Sequence, residues 1–316
     1  MKKVIPILKE RAIYVALIAL FIIFSCLSSD FLSPNNLINI ARQIAVLGIA
    51  SVGMTYVILI GGIDLSTGSI ITFVNIIAAY LMVNMGMNMW LAILIALLSS
   101  TAIGFLNGLL VANMNIPSLI VTFASQTIFE GFAYILSKGM PIFGFPKGFA
   151  TIGQGYVGFI PIPVIVMIVI FLIGGFILNK TYFGRYFYAL GGNETAAQMA
   201  GIQVKRVKYL IFSLSGLFAG IAGIIMLART NSGQPTAGKG YEFQVITAVA
   251  LGGVSLSGGS GKLSNVVAGV FIMGILKNGM VLLNISEYVQ MVVEGVILLL
   301  AVGFDCLQKR KLGYQN

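Results

Sequence analysis

Histidine is absent from the 316 residues, and only two cysteines (Cys26 and Cys306) and one tryptophan occur. Asp, Glu, Lys and Arg together make up 9% of the chain, and from Leu65 to Phe129 there is none of them. Each shortage excludes something. Without histidine the commonest metal ligand and general base is missing, and neither cysteine has a ligand set near it, so no metal centre and no catalytic residue is expected. Soluble chains carry roughly 25% charged residues to face water, so a stretch as long as 65–129 without charge cannot be one soluble core. What the chain has instead is 58% hydrophobic residues and a mean hydropathy of +1.00, in long Ile/Leu/Val/Ala/Gly runs without the period-two alternation of a membrane barrel. Lipid offers no partner for exposed backbone groups, so each crossing needs about 20 apolar residues in a helix. The fold class is an all-α polytopic membrane protein, and nucleic acid is not an expected partner despite the formal net charge of +10.

The apolar runs place about ten transmembrane helices, roughly at 12–28, 38–60, 66–84, 89–112, 118–137, 162–179, 209–228, 242–254, 264–283 and 288–304. The eighth is too short to cross unless it is tilted or broken. The first, behind a basic N-terminus, imitates a signal peptide but reads better as an uncleaved helix. Thirteen of the 19 Lys/Arg residues fall in loops on one side of this map, in the clusters Lys2/Lys3/Lys9/Arg11, Lys180/Arg185/Lys205/Arg206/Lys208 and Lys309/Arg310/Lys311, with Lys262. Four fall on the other: Lys138, Lys147, Arg229 and Lys239. The positive-inside rule makes the richer side cytoplasmic. Both termini are therefore expected in the cytoplasm, the whole of 1–316 forming one transmembrane domain in a bacterial inner membrane.

Residues 61–69, Gly-Gly-Ile-Asp-Leu-Ser-Thr-Gly-Ser, are echoed by 252–260, Gly-Gly-Val-Ser-Leu-Ser-Gly-Gly-Ser. Both interrupt apolar runs. Chance likeness of Gly/Ser-rich breaks explains this; so does an internal repeat with paired breaks beside a transport pathway, as in many transporters. On the second reading Gly61, Gly62, Asp64, Ser66, Gly252, Gly253, Ser255 and Ser257 are candidate pathway residues. Four acidic residues fall near or within spans. Asp64 is expected to be satisfied by amides of its glycine break, Glu242 and Glu294 to lie near interfaces, and Glu130 to lie deepest. Gly104-x-x-x-Gly108 and Gly216-x-x-x-Gly220 provide the small faces that let helices approach closely in lipid. The run Gly258-Gly259-Ser260-Gly261-Lys262-Leu263 only imitates a phosphate loop: Leu256 and Leu263 stand where that loop needs Gly and Ser/Thr.

The polar stretch 180–208 contains one capped segment. Asn193 suits an N-cap, Glu194 complements the helix dipole, and Thr195, Ala196, Ala197, Gln198, Met199 and Ala200 can form two turns before Gly201 closes them. A helix so short is not stable alone; it either packs back on its own protein or docks into a partner.

This loop, with Gly61–Ser66, Gln234-Pro235-Thr236-Ala237-Gly238 and Leu251–Gly259, resembles the ribose-type branch of the bacterial sugar ABC transporter permeases, over nearly the whole chain and in the same order. The resemblance implies an ABC importer permease fold and a membrane subunit without an ATPase site or bound cofactor of its own. ATP and magnesium would sit on a separate ABC ATPase, a sugar would arrive on an extracytoplasmic sugar-binding protein, and a second permease copy, the same or a paralogue, would complete the conduit. It also implies that 180–208 is a cytoplasmic coupling loop, with Gly191, Gly192 and Asn193 through Gly201 as the helix seated in the ATPase. The binding protein would dock on 139–161 and 229–241. The reading from another class is a stand-alone secondary transporter or channel for a small polar solute.

Overall fold

The computed structural model describes residues 4–313, and side chains from Ile13 to Leu307. Lys2 and Lys3 lie outside the described residues, and the side chains of Lys9, Arg11, Lys309, Arg310 and Lys311 are outside the described set. The long helices are α1 (Val4–Leu27), α2 (Pro34–Leu59), α3 (Ser66–Val83), α4 (Met89–Asn113), α5 (Ser118–Ser137) and α7 (Ile162–Lys180), then α10 (Val204–Thr230), α12 (Leu263–Leu282) and α13 (Glu287–Gly313). Between them stand the short helices α6 (Phe149–Gln154), α8 (Tyr182–Gly192), α9 (Glu194–Met199) and α11 (Tyr241–Leu251), and a two-stranded hairpin of β1 (Tyr156–Val157) and β2 (Ile160–Pro161). Among the described residues eight helices are long and apolar enough to cross a membrane, and Ile13–Leu27 and Tyr241–Leu251 are two shorter apolar ones. Together they match the ten runs of the sequence.

Helices α2, α3 and α10 form the interior, and α4, α5, α7 and above all α13 are largely uncovered. Close approach is what holds the interior together, since lipid supplies no hydrophobic drive between helices. The small faces of α4 and α10 meet each other within this one chain: a Cβ on Gly216 would stand 3.1 Å from the Cα of Gly104, and one on Gly108 3.0 Å from the Lys208 carbonyl. Gly53 of α2 likewise faces the Ser215 backbone of α10 at 2.8 Å. Tyr56 anchors α2 to α7 by donating to the Gly174 carbonyl at 2.9 Å.

One crossing is not a continuous helix. After α10 the chain turns inward along α3: Gly233 packs on Ala79, the Gln234 amide donates to Asn75 Oδ1, and the Gly238 amide donates to Thr72 Oγ1, both at 2.9 Å. Gly238 ends against Gly68. From Ala79 to Gly68 is about 16 Å at 1.5 Å per residue, half the thickness of a hydrocarbon core of ~30 Å. Helix α11 starts there and spans the other half, which is why its apolar run is so short. The expectation that 229–241 is an outer loop is narrowed: Gly233 exchanges backbone hydrogen bonds with Ile142 of the segment 139–161, and from Gln234 to Gly238 the chain turns inward to α3. The acidic residues are also reordered. Glu242 is 3% exposed and accepts from Gln126 at 3.0 Å, whereas Glu130 is only half-buried.

Candidate functional site: a glycine junction under a short capped helix

Two ends of the bundle are distinguishable: the basic end, which carries the α7–α10 connection with Lys180, Arg185, Lys205, Arg206 and Lys208, and the far end, which carries residues 139–161. At the basic end Asn193 caps α9 as its residue type requires, accepting from the Ala196 amide at 2.9 Å, and Gly201 leaves the helix at φ +84°. Glu194 in the first turn is tied to Lys208 of α10 by a 2.7 Å ion pair. Gly192, Thr195, Ala196, Gln198, Met199 and Ala200 face outward, Met199 being 79% exposed, while Ala197 is buried against its own chain. So α9 packs back on the protein with one residue and leaves the rest of its surface uncovered.

The helix before it was not read from the sequence. Gly184, Phe187 and Leu190 recur at every third position and form the buried stripe of α8, a spacing that points to an amphipathic helix. Phe187 packs on Tyr56 with ring centroids 5.3 Å apart, and Tyr188 donates to the Gly261 carbonyl at 2.8 Å. Helix α8 therefore grips α2 on one side and the α11–α12 connection on the other.

Both echo stretches lie at this end, and three backbones meet there. The Gly259 amide donates to the Leu59 carbonyl at 2.9 Å. Gly191 lies so close that a Cβ would collide with both the Leu59 carbonyl and the Gly259 amide. A Cβ on Gly258 would stand 2.7 Å from the Gly61 nitrogen and 3.1 Å from the Gly191 Cα, and one on Gly61 3.5 Å from the Ser257 carbonyl. The end of α2, the α8–α9 corner and the α11–α12 connection are thus in main-chain contact, which only glycine allows at such spacing. Gly252 packs on Val266 of α12, and Gly253 takes φ +76°.

The first break is locked further in. Asp64 is fully buried; its Oδ1 accepts from the Ser66 amide at 3.0 Å and from the Ser66 hydroxyl, and its Oδ2 accepts from Ser215 of α10 at 2.8 Å. Asn107 donates to Ser66, and Ser118 and Thr122 of α5 accept from the Ile63 and Leu65 amides. One backbone amide of the break, that of Ser66, satisfies the carboxyl as expected, and the Ser66 and Ser215 hydroxyls join it. Burial pushes the Asp64 carboxyl above the usual carboxylate range, opposed by the hydrogen bonds from Ser66 and Ser215. No sequence pattern pairs Asp64 with a serine 151 positions away. Beside this break a groove of about 310 Å³ opens between Gly61, Gly62, Asn115 and Ser118 and the Glu194–Lys208 pair.

Among the described residues no group of His, Cys, Asp and Glu could hold a metal ion. The geometry is that of a mechanical joint: an uncovered short helix joined through glycines to two interruptions of membrane helices.

Residues 36–302 match the family described as "Branched-chain amino acid transport system / permease component". The chain is 43% identical to a ribose import permease protein of Bacillus subtilis, over 95% of this chain and 93% of that one. It is 42% identical to the ribose import permease protein of Haemophilus influenzae (94% and 93%) and 40% identical to an L-arabinose transport system permease protein of Escherichia coli (94% and 90%). No solved structure matches it. Likeness over nine-tenths of both partners, on a multi-pass helical frame, places the chain in the ribose-type sugar ABC transporter permease family.

Proposed function

We propose that this chain is the sugar-conducting membrane subunit of an ATP-driven importer, with the basic end in the cytoplasm, and that α9 is where a separate ABC ATPase drives it. The observation that carries the reading is the pairing of an uncovered α9 with the glycine junction behind it. A nucleotide-driven movement of the ATPase pushes α9, α8 moves with it, and the contacts Gly191–Leu59, Gly191–Gly259 and Tyr188–Gly261 pass the displacement to α2 and to the α11–α12 connection. Ion pair Glu194–Lys208 adds α10. With ATP bound by the separate ATPase, the energy enters this chain by contact.

The sugar reading comes from the relatives, since the family description names amino acids and the permeases at 40–43% identity name ribose and arabinose. Delivery by an extracytoplasmic binding protein follows from the importer class, and the far-end segment 139–161, with Phe143 and Phe159 at 61% and 87% exposed, is the surface offered to it. A second permease copy would cover α13, where Tyr288 and Leu299 are 80% and 72% exposed.

The test uses the complete importer in proteoliposomes. Two arginines on the uncovered face of α9, Ala196→Arg with Ala200→Arg, should abolish uptake and its stimulation of ATP hydrolysis while the permease still inserts. Ala197 is spared because it is buried. Uptake at the wild-type rate would refute the role of α9. Uphill uptake by the permease alone, without an ATPase, would instead establish the secondary-transporter reading.

A further inference from the structure

The discontinuous crossing leaves a cavity of about 280 Å³ above the start of α11, on the far-end side. Its wall draws on five elements: Gln43 from α2, Arg229 and Thr230 from α10, Gln234 from the inward loop, Tyr241 and Gln244 from α11, and Lys277 from α12. Lys277 stands five residues, about 8 Å at 1.5 Å per residue, from the far end of α12, while Tyr241 and Gln244 at the start of α11 carry the wall down to half depth. Polar side chains at such depth are costly and mark a pathway unless they serve one another.

These do so only in part. Among the described residues the Gln43 amide has no hydrogen-bond partner, and Arg229 Nε is buried without one. The Lys277 ammonium lies over the Tyr241 ring, 5.5 Å from its centroid, and faces the Glu294 carboxyl without a close ion pair among the described residues. Gln244 donates to Glu294 of α13 at 3.2 Å, which leaves its carbonyl free to accept. Three amides, two hydroxyls and two cations share the wall with Leu47, Met226, Ala237, Met273 and Val281, so donors and acceptors stand beside apolar surface of comparable extent, as the hydroxyl and C–H faces of a sugar require. Such a wall suits a compact polyol. The volume equals about nine liquid waters at ~30 Å³ each, a size for one monosaccharide.

The same wall is a poor match to the amino acid named in the family description. A carboxylate would find Arg229 and Lys277, but an ammonium would meet those same cations, and the nearest carboxylate, Glu294, is outside the lining and engaged by Gln244. A branched side chain would find Leu47 and Val281, so it is the charges of the wall that count against an amino acid.

We infer that this cavity is a transient station for a single monosaccharide on its way through the permease, with Gln43, Gln244 and Arg229 as its hydrogen-bonding wall. The inference rests on the importer reading and deepens it. Discrimination against charged amino acids then belongs to this chain as well as to its binding protein. Because α11 is joined through the α11–α12 connection to Gly191, the station's floor is the element that α8 and α9 would move.

The test separates the two levels. In proteoliposomes with its ATPase and binding protein, the wild-type importer should take up ribose or arabinose; uptake of leucine and of neither sugar would end the sugar reading itself. With sugar uptake established, Gln43→Leu and Gln244→Leu should each slow it at least tenfold, while loaded binding protein still stimulates ATP hydrolysis. Uptake at the wild-type rate in both variants would overturn the station. For a variant that also loses stimulation, labelling decides. With Gln234→Cys in a Cys26→Ser, Cys306→Ser background, a membrane-impermeant thiol reagent should react at least threefold more slowly in the presence of saturating sugar during turnover, and at an unchanged rate with leucine. Slowing by leucine, or no slowing by sugar, would overturn the inference.

Discussion

The two glycine-rich breaks share six of nine letters and are built in opposite ways. Residues 61–69 take one positive-φ glycine, Gly61 at +77°, and enter α3 at once, with Asp64, Ser66, Asn107, Ser215, Ser118 and Thr122 binding the turn from three other helices. Residues 252–260 put Ser255 where the first has Asp64, and the chain passes Gly253, Gly258, Gly259 and Gly261, all at positive φ, before α12 begins at Leu263. Their ties are to Asp305 of the uncovered α13 through Ser255, and to the α8–α9 corner through glycine backbones and Tyr188. One break is a buried polar weld and the other a backbone hinge held against the α8–α9 corner, which on the proposed reading is the part that moves. The single exchange of Asp for Ser marks the difference: a buried carboxyl demands several donors, whereas a serine can be released cheaply.

That contrast can be broken in order of effect. Gly191→Ala places a methyl against the Leu59 carbonyl and the Gly259 amide, so the hinge loses its contact with α8; uptake should disappear while ATP hydrolysis continues in the assembled importer. Asp64→Leu leaves the Ser66 and Ser215 donors buried without an acceptor and should destabilise the permease by about 3 kcal/mol, seen as a lower melting temperature in detergent. Asp64→Asn should cost much less, since an amide can accept from Ser66 and donate to Ser215. A carboxyl raised on folding contributes stability at pH below its unfolded value and loses it as the pH rises through the folded one. The wild type should therefore fall in stability relative to Asp64→Asn on going from acid to neutral and alkaline pH, and parallel curves would contradict the raised carboxyl. Ser255→Ala, at the equivalent position, should change the melting temperature by less than about 1 kcal/mol equivalent. An effect as large as that of Asp64→Leu would erase the distinction between weld and hinge.

Much of this was legible in the letters. Ten apolar runs appear where the helices stand, Asn193 and Gly201 bound α9, and the Gly104/Gly108 and Gly216/Gly220 faces pack within the chain as their spacing suggests. Local chemistry determines all of these. What sequence left hidden depends on long-range placement: the amphipathic α8, the Ser215 partner of Asp64, and a cavity assembled from five elements. Gln43 and Gln244 look like stray polar residues in apolar runs until the fold places them on one wall. The inward course of 234–240 stayed hidden for the same reason, because loop composition does not reveal that Asn75 and Thr72 wait inside α3 to receive two of its amides.

Hydrogen–deuterium exchange on the assembled importer, compared between the nucleotide-free state and a trapped ATP state, tests the division most directly. The account predicts that amides of 252–262 change their exchange rate severalfold with nucleotide while those of 61–66 keep theirs. Equal change in both stretches, or change confined to 61–66, would contradict it.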